Sequence, residues 1–216
     1  MKDGKYSVLI VEDHAMPMQL FEHFVQSSDK YTLAKSIDCA AFAEIYCMSG
    51  QVDLILMDVV TADGASGLDA AEKIKKKYPK TKIIIVTSMP ECSYISRAKK
   101  LGAEGFWYKD TSKESILCVM DRVMSGEIVY PDGLQTVDVG LAKSSEFTDK
   151  ELVVLRFMTG GYSNQEIADK LGVSLNAVKK HISNMLDKTG LRSRTELAVR
   201  ARETGLVILD RTEDDI

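Results

Sequence analysis

The chain has 216 residues, of which 45% are hydrophobic and 28% charged, with a net charge of −4 at pH 7. This length suits one large or two small domains, and the composition is that of a soluble globular protein. No apolar run approaches the roughly 20 residues that a membrane-spanning helix needs, and the first residues lack a signal-peptide core. We therefore expect a cytoplasmic protein that does not contact a membrane, with its four scattered cysteines reduced.

Residues 5–126 alternate between strand-like and helix-like segments. Between the strand-like runs, apolar residues recur at the 3.6-residue period of an amphipathic helix. Five such units, with several strands apolar on both faces, predict a doubly wound α/β fold, in which helices cover a five-stranded parallel sheet. The strand-like runs are SVLIV (7–11), YTLAKS (31–36), DLILM (53–57), KIIIVT (82–87) and GFWY (105–108).

The pattern breaks after residue 126. Residues 127–145 contain Pro131 and two glycines without a sustained period, which predicts a linker. Residues 146–211 are predicted to form a second, all-α domain of four short helices. Ser174 is a candidate N-cap, and three hydroxyl residues are each followed three positions later by glutamate, the sequence of a capping box: Thr148/Glu151, Ser163/Glu166 and Ser193/Glu196.

Polar side chains follow the predicted strands of the first domain. Glu12 and Asp13 come after the first strand, and Asp58, Thr87 and Lys109 end or follow the third, fourth and fifth. The carboxyl ends of parallel strands share one edge of the sheet, so these groups should lie close together. Crowded carboxylates need a cation, and an all-oxygen cluster suits Mg²⁺. Beside a metal and a lysine, a carboxylate can attack phosphorus and form an aspartyl phosphate.

This set resembles the receiver domain of two-component response regulators. The matching stretches are VEDH (11–14), LILMD (54–58), IIIVTS (83–88) and GFWYKD (105–110). The resemblance implies that Asp58 is the phosphoacceptor and that Lys109 contacts the phosphoryl group. It further implies that Thr87 and Phe106 form a switch pair. The resemblance also implies a Mg²⁺ site, with ligands from Glu12, Asp13, Asp58 and the backbone carbonyl of Val60.

The loop after Asp58 departs from the family pattern. Thr61 and Ala62 stand where the family usually has Met-Pro, and the usual glycine, Gly67, comes one residue late. A loop without that proline should be less restricted in backbone conformation. Taken singly, Asp58 could also be an ordinary turn residue. A phosphatase resembling the haloacid dehalogenase family is disfavoured, because its second aspartate would fall at Val60; we therefore expect no enzyme.

The second domain resembles the helix-turn-helix output domain of the NarL/LuxR/FixJ type. The first motif helix should pack on the second through Ile167, Ala168, Leu171 and Val173. The second helix would have one buried stripe, formed by Val178, Ile182, Met185 and Leu186. Asn176, Lys179, Lys180 and Ser183 would then face outward towards the major groove. Arg192 and Arg194 are better placed for phosphates.

These resemblances imply a DNA-binding response regulator. A sensor histidine kinase would phosphorylate Asp58, and the active protein would bind double-stranded DNA as a homodimer. An alternative is a DNA-binding regulator with an atypical receiver, controlled by protein partners without phosphorylation.

Overall fold

A computed structural model describes residues 4–48, 51–89, 92–109, 112, 114–131 and 136–207. The chain divides into two compact units, one made mainly of residues before 132 and the other mainly of residues after 133. Among the described residues, none of the helices combines the length and apolar character that crossing a bilayer requires.

The first unit is a five-stranded parallel sheet with the strand order β2-β1-β3-β4-β5, which confirms the predicted fold. The central strands are apolar on both faces because helices cover both sides of the sheet. Every residue of β3 is buried, and so is all of β4 after its first residue. The elements are β1 (Tyr6–Val11), α1 (Ala15–Gln26), β2 (Tyr31–Ile37), α2 (Ala43–Cys47), β3 (Leu54–Asp58), α3 (Gly67–Lys77), β4 (Lys82–Thr87), α4 (Cys92–Leu101), β5 (Gly105–Tyr108) and α5 (Ile116–Met124).

The segment after α5 adds to the open edge of this sheet. The Val129 N–H donates to the Glu104 carbonyl at 2.8 Å, and the Phe106 N–H donates to the Val129 carbonyl at 2.9 Å. Val129 is buried with the sheet core, and the Tyr130 hydroxyl donates to the Ala103 carbonyl at 2.9 Å. The start of the predicted linker therefore packs on the receiver-like unit.

The end of the predicted linker belongs to the second unit. Strands β6 (Asp138–Val139) and β7 (Ala142–Lys143) form an antiparallel hairpin, and Val139 and Ala142 are buried in the second core. Two-residue strands are too short to produce a detectable period, so the sequence pattern missed them. Residues 132–135 of the linker, and 208–211 at the predicted end of the second domain, lie outside the described residues.

Four helices complete the second unit, as the sequence predicts: α6 (Asp149–Thr159), α7 (Asn164–Leu171), α8 (Leu175–Thr189) and α9 (Arg194–Glu203). The N-caps Thr148, Ser163, Ser174 and Ser193 are all confirmed by side-chain hydrogen bonds. The first two predicted capping boxes are complete. The third is not, because the Glu196 carboxylate accepts from the Arg192 N–H at 2.9 Å instead of returning to Ser193.

The buried stripe of α8 is as predicted, with Val178, Ile182 and Met185 buried and Leu186 partly buried. Ile167 and Ala168 of α7 are also buried, and Leu171 packs at the edge of the core. The prediction for Val173 is wrong, because this side chain is 45% exposed. Val173 lies in the turn between α7 and α8, where the chain no longer follows the buried face of either helix.

Candidate phosphoacceptor site and nucleic-acid interface

The polar residues predicted from the strand ends meet at the carboxyl edge of the sheet. Strand β1 lies between β2 and β3, so the chain reverses its direction of winding there and opens a crevice at the strand ends. Glu12 follows β1, Asp58 ends β3 and Thr87 ends β4. All three are buried, although such groups usually stay in water unless they are paired or functional.

The carboxylates of this edge form one cluster. Glu12, Asp13 and Asp58 each offer an oxygen, and these atoms lie within 4.8 Å of one another and of a ring nitrogen of His14. The His14 Nδ1 atom is 2.7 Å from the Asp13 Oδ1 atom. The sequence pattern gives no role to His14, which directly follows Asp13 and is exposed.

Lys109 provides the positive charge of the cluster. Its Nζ atom lies 2.7 Å from the Asp58 Oδ2 atom and 2.5 Å from the Glu12 Oε2 atom. Burial lowers the pKa of the Lys109 ammonium, but the Asp58 and Glu12 carboxylates outweigh it, so this pKa lies above its ordinary value. Lys109 therefore provides a cation at neutral pH.

Asp58 is under opposing influences. Burial raises the pKa of its carboxyl, Lys109 lowers it, and Glu12 raises it again, so that the pKa is about 6. The Asp58 Oδ1 atom accepts from the Val59 N–H at 2.7 Å, which leaves the carboxylate fixed in orientation. A buried, oriented carboxylate that is still largely ionised at neutral pH is chemically suited to act as a nucleophile.

The donor set fits a magnesium ion. Carboxylate and carbonyl oxygens are the ligands that Mg²⁺ takes. Lys109 offsets only one of the three negative charges of Glu12, Asp13 and Asp58, so the cluster keeps an excess negative charge that a cation would neutralise. The backbone at Val60 forms an antiparallel bridge with Ser66. The two hydrogen bonds of that bridge use the carbonyls of Val59 and Ala65, so neither engages the Val60 carbonyl.

Gly67 allows the loop after Asp58 to close on the site. A Cβ atom at this position would lie 1.7 Å from the Asp58 carbonyl oxygen, so no other residue fits without movement of the backbone. The glycine that comes one residue late in the sequence thus has a defined steric role.

The residues predicted as a switch pair are both buried. Thr87 is fully buried, and its carbonyl accepts from the Lys109 N–H at 2.9 Å. Phe106 packs edge-on against Tyr108, with 5.1 Å between ring centroids, and stacks on Tyr130 at 6.3 Å. In the sheet register Thr87 lies opposite Tyr108, and Phe106 lies opposite Ile85.

The candidate DNA-binding surface lies on helix α8. Asn176, Lys179, Lys180 and Ser183 are all exposed, on the side opposite the buried stripe. Exposed lysine and asparagine side chains on one helix face can contact base edges and phosphates in a major groove. The structure therefore brings these four predicted residues together on one surface.

Basic residues near this surface differ in whether hydrogen bonds within the unit already hold their side chains. Arg192 is exposed, but the half-buried Arg194 donates through Nη2 to the Tyr162 carbonyl at 2.7 Å. Lys188 donates to the buried Glu151 carboxylate at 2.7 Å and to the Glu146 carbonyl at 2.8 Å. Lys188 is thus held by contacts within its own unit.

Both units match known protein families. Residues 8–124 match the response regulator receiver domain, and residues 145–201 match the bacterial regulatory proteins of the luxR family. The chain is 32% identical over 211 residues to the transcriptional regulatory protein YdfI of Bacillus subtilis, covering 94% of this chain and 98% of that protein. It is 30% identical over 215 residues to the oxygen regulatory protein NreC of Staphylococcus aureus, covering 93% and 98%.

Solved structures show the same fold. RcsB from Salmonella enterica serovar Typhimurium, bound to the promoter rprA with the phosphomimetic BeF3⁻, matches with a TM-score of 0.59 at 18% identity, covering 91% of this chain and 98% of that one. The response regulator ChrA of a heme-sensing two-component system matches with a TM-score of 0.51 at 19% identity, covering 94% and 100%. From the family matches and the two relatives, this chain belongs to the NarL/FixJ family of DNA-binding two-component response regulators.

Proposed function

We propose that Asp58 is the phosphoacceptor through which this response regulator is controlled. The observation that carries the proposal is the buried Asp58 carboxylate, 2.7 Å from the Lys109 ammonium at the carboxyl edge of the sheet. One Asp58 oxygen would attack the phosphorus of a phosphohistidine in a sensor histidine kinase. A new O–P bond would form as the N–P bond breaks, and the histidine nitrogen would leave with the electron pair of that bond.

Each neighbour of Asp58 would have a separate task. Lys109 would offset negative charge on the transferred phosphoryl group, and the Val59 N–H orients the nucleophile. Glu12, Asp13, Asp58 and the Val60 carbonyl would hold Mg²⁺, which neutralises charge on both the phosphoryl oxygens and the carboxylates.

Phosphorylation would be read by the predicted switch pair. The Thr87 hydroxyl would donate to a phosphoryl oxygen, and Phe106 would change its packing in response, which would bias a two-state surface. The active protein would form a homodimer that binds double-stranded DNA at paired half-sites. We propose a cytoplasmic location because the DNA target lies there. We also propose no enzymatic role towards a separate substrate, since Val60 cannot supply acid–base chemistry.

Asn176, Lys179, Lys180 and Ser183 would meet the major groove, and Arg192 would contact phosphates. Arg194 would also approach a phosphate, using the part of its guanidinium that the Tyr162 carbonyl does not occupy. Phosphate contacts position the helix, whereas contacts to base edges specify the sequence.

The phosphoacceptor assignment is tested with acetyl phosphate and Mg²⁺, by intact mass. The wild type should gain one acid- and base-labile phosphoryl group, and Asp58→Asn should gain none. Asp69→Asn is the matched control, because Asp69 is an exposed aspartate of the same unit, paired with Arg97. An undiminished adduct in Asp58→Asn would contradict the assignment, and no adduct in the wild type would favour control by protein partners.

The DNA interface is tested by the salt dependence of binding to selected duplex DNA. Each lost phosphate contact should reduce the slope of log K against log salt by about one. Lys179→Ala and Lys180→Ala should weaken binding, while Lys150→Ala, an exposed lysine on α6, should not. Equal binding by all three variants would place the DNA contact elsewhere.

A further inference from the structure

We propose that the Thr61 hydroxyl is a positioning group for the divalent cation of the phosphoacceptor site. It would act by fixing the backbone at Val60, whose carbonyl is the proposed main-chain ligand. The inference rests on the proposed function, and it concerns a residue of this chain that does not itself touch the reacting atoms. Thr61 is 1% exposed, which is unusual for a threonine in a loop.

The loop after β3 is a closed ring. Gly67 N–H donates to the Val59 carbonyl at 2.8 Å, and Thr61 N–H donates to the Ala65 carbonyl at 3.1 Å. These bonds make the bridge between Val60 and Ser66. Because Val60 lies within this bridge, the direction of its carbonyl depends on whether the ring stays closed.

The Thr61 hydroxyl reinforces the ring and ties it to another segment. Its Oγ1 atom donates to the Ala65 carbonyl at 3.0 Å and accepts from the Ala40 N–H at 2.8 Å. Ala40 begins the turn that leads into α2. A second hydrogen bond to the same segment runs from the Ala62 N–H to the Asp38 carbonyl at 2.9 Å. The loop is thus anchored to the segment between β2 and α2.

The tip of the ring has little stiffness of its own. Asp63 adopts a left-handed conformation with φ of 58°, Gly64 follows with φ of 68°, and no proline restricts residue 62. Glycine leaves many backbone states open to the chain, and the left-handed region is sparsely populated for aspartate. The hydroxyl of Thr61 therefore supplies a restriction that the tip sequence does not.

Thr61→Val tests this role, because valine keeps the shape of threonine and removes the hydroxyl. Residues that orient metal ligands typically change metal affinity by about 10–100-fold when they are lost. We expect the Kd for Mg²⁺, measured by calorimetry on the full chain, to rise about tenfold in Thr61→Val. Phosphorylation by acetyl phosphate should slow at low Mg²⁺ and recover at saturating Mg²⁺. Thr61→Ser, which keeps the hydroxyl, should restore most of the affinity.

A matched control separates positioning from stability. Thr81 is also buried, and its hydroxyl donates to the Val52 carbonyl at 3.2 Å, at the start of β4 and therefore at the opposite edge of the sheet. Thr81→Val should lower the Tm but leave the Kd for Mg²⁺ unchanged. A purely structural role for Thr61 would give the same result in Thr61→Val, and would overturn the inference.

A measurement on the wild type covers the case in which Thr61→Val does not fold. Coupling between two sites is reciprocal, so saturating Mg²⁺ should slow hydrogen exchange of the Ala40 amide, which Thr61 binds. Unchanged exchange at Ala40, in a protein that binds Mg²⁺ and is phosphorylated on Asp58, would overturn the inference alone. Failure of the wild type both to bind Mg²⁺ and to form an Asp58 adduct would overturn the proposed function together with it.

Discussion

The ring of Tyr130 stacks on the ring of Phe106, with 6.3 Å between centroids and 25° between planes. Lys99 also contacts the Tyr130 ring, with its Nζ atom 5.1 Å from the ring centroid. The proposed switch aromatic is therefore in direct contact with the first residues after α5. A change in the packing of Phe106 would therefore alter its contact with Tyr130, in the segment that leads towards the DNA-binding unit.

Tyr130→Ala should release this segment from the β5 edge. The ring stack and the hydroxyl bond to Ala103 would be lost, so the hydrogen bonds that join Val129 to Glu104 and Phe106 would open more often. Hydrogen exchange at the Val129 and Phe106 amides should accelerate. Tyr130→Phe, which keeps the ring, is the control and should retain most of the protection. Equal exchange in the alanine variant and the wild type would show that the stack does not secure the segment.

The raised pKa of Asp58 predicts a pH-dependent stability without Mg²⁺. Burial is the main cause of this pKa of about 6, against an ordinary value of 3.8. The folded protein thus binds this proton more tightly than the unfolded chain, and its stability should fall as pH rises from about 4 to about 6. Asp58→Asn should not lose stability in this way, because asparagine does not ionise in this pH range.

We expect the Tm of Asp58→Asn in EDTA to exceed that of the wild type at pH 8. The difference should shrink towards pH 4, where Asp58 is protonated in the folded wild type. Mg²⁺ should raise the wild-type Tm at pH 8 and leave Asp58→Asn with a smaller gain, because the variant has one carboxylate fewer. Identical Tm profiles in EDTA would contradict the raised pKa.

Gly67→Ala should disrupt the end of β3. Its Cβ would meet the Asp58 carbonyl oxygen at 1.7 Å, so β3 and α3 must move apart. Gly126→Ala is the matched control. Gly126 has φ of 102° and no atom outside its chain neighbours within 4 Å of the place where a Cβ would lie, so only backbone strain of about 1–3 kcal/mol applies. In thermal unfolding, the Gly67 variant should lose clearly more stability. An equal loss in both variants would contradict the steric role of Gly67.

Lys188→Met should destabilise the DNA-binding unit. Glu151 is buried, and it accepts from Lys188 Nζ at 2.7 Å and from the Thr148 N–H at 2.8 Å. Loss of the charged partner should cost about 1.5–3 kcal/mol. Adding Glu151→Gln should recover part of that loss, which a double-mutant cycle in urea would measure. Additive effects of the two changes would show that the pair does not interact.

The sequence by itself determined the fold class and which polar residues meet at the carboxyl edge of the sheet. Short apolar runs separated by segments of 3.6-residue period predict a parallel sheet covered by helices, and such a sheet brings the residues after its strands to one edge. For the same reason, the caps Thr148, Ser163 and Ser174 marked where helices begin, since unpaired N–H groups need local acceptors. The five-stranded sheet and the four helices are confirmed.

Only the tertiary structure decided which polar groups work together. The pairing of Lys188 with Glu151 and the hydrogen bond from the Ala40 N–H to Thr61 join polar groups from different elements, and the stack of Tyr130 on Phe106 likewise joins rings that are distant in sequence. No local period encodes such contacts, because they depend on distances set by packing between elements. The two-residue strands at Val139 and Ala142 escaped prediction for a related reason: their burial depends on a core built by helices that follow them in the chain.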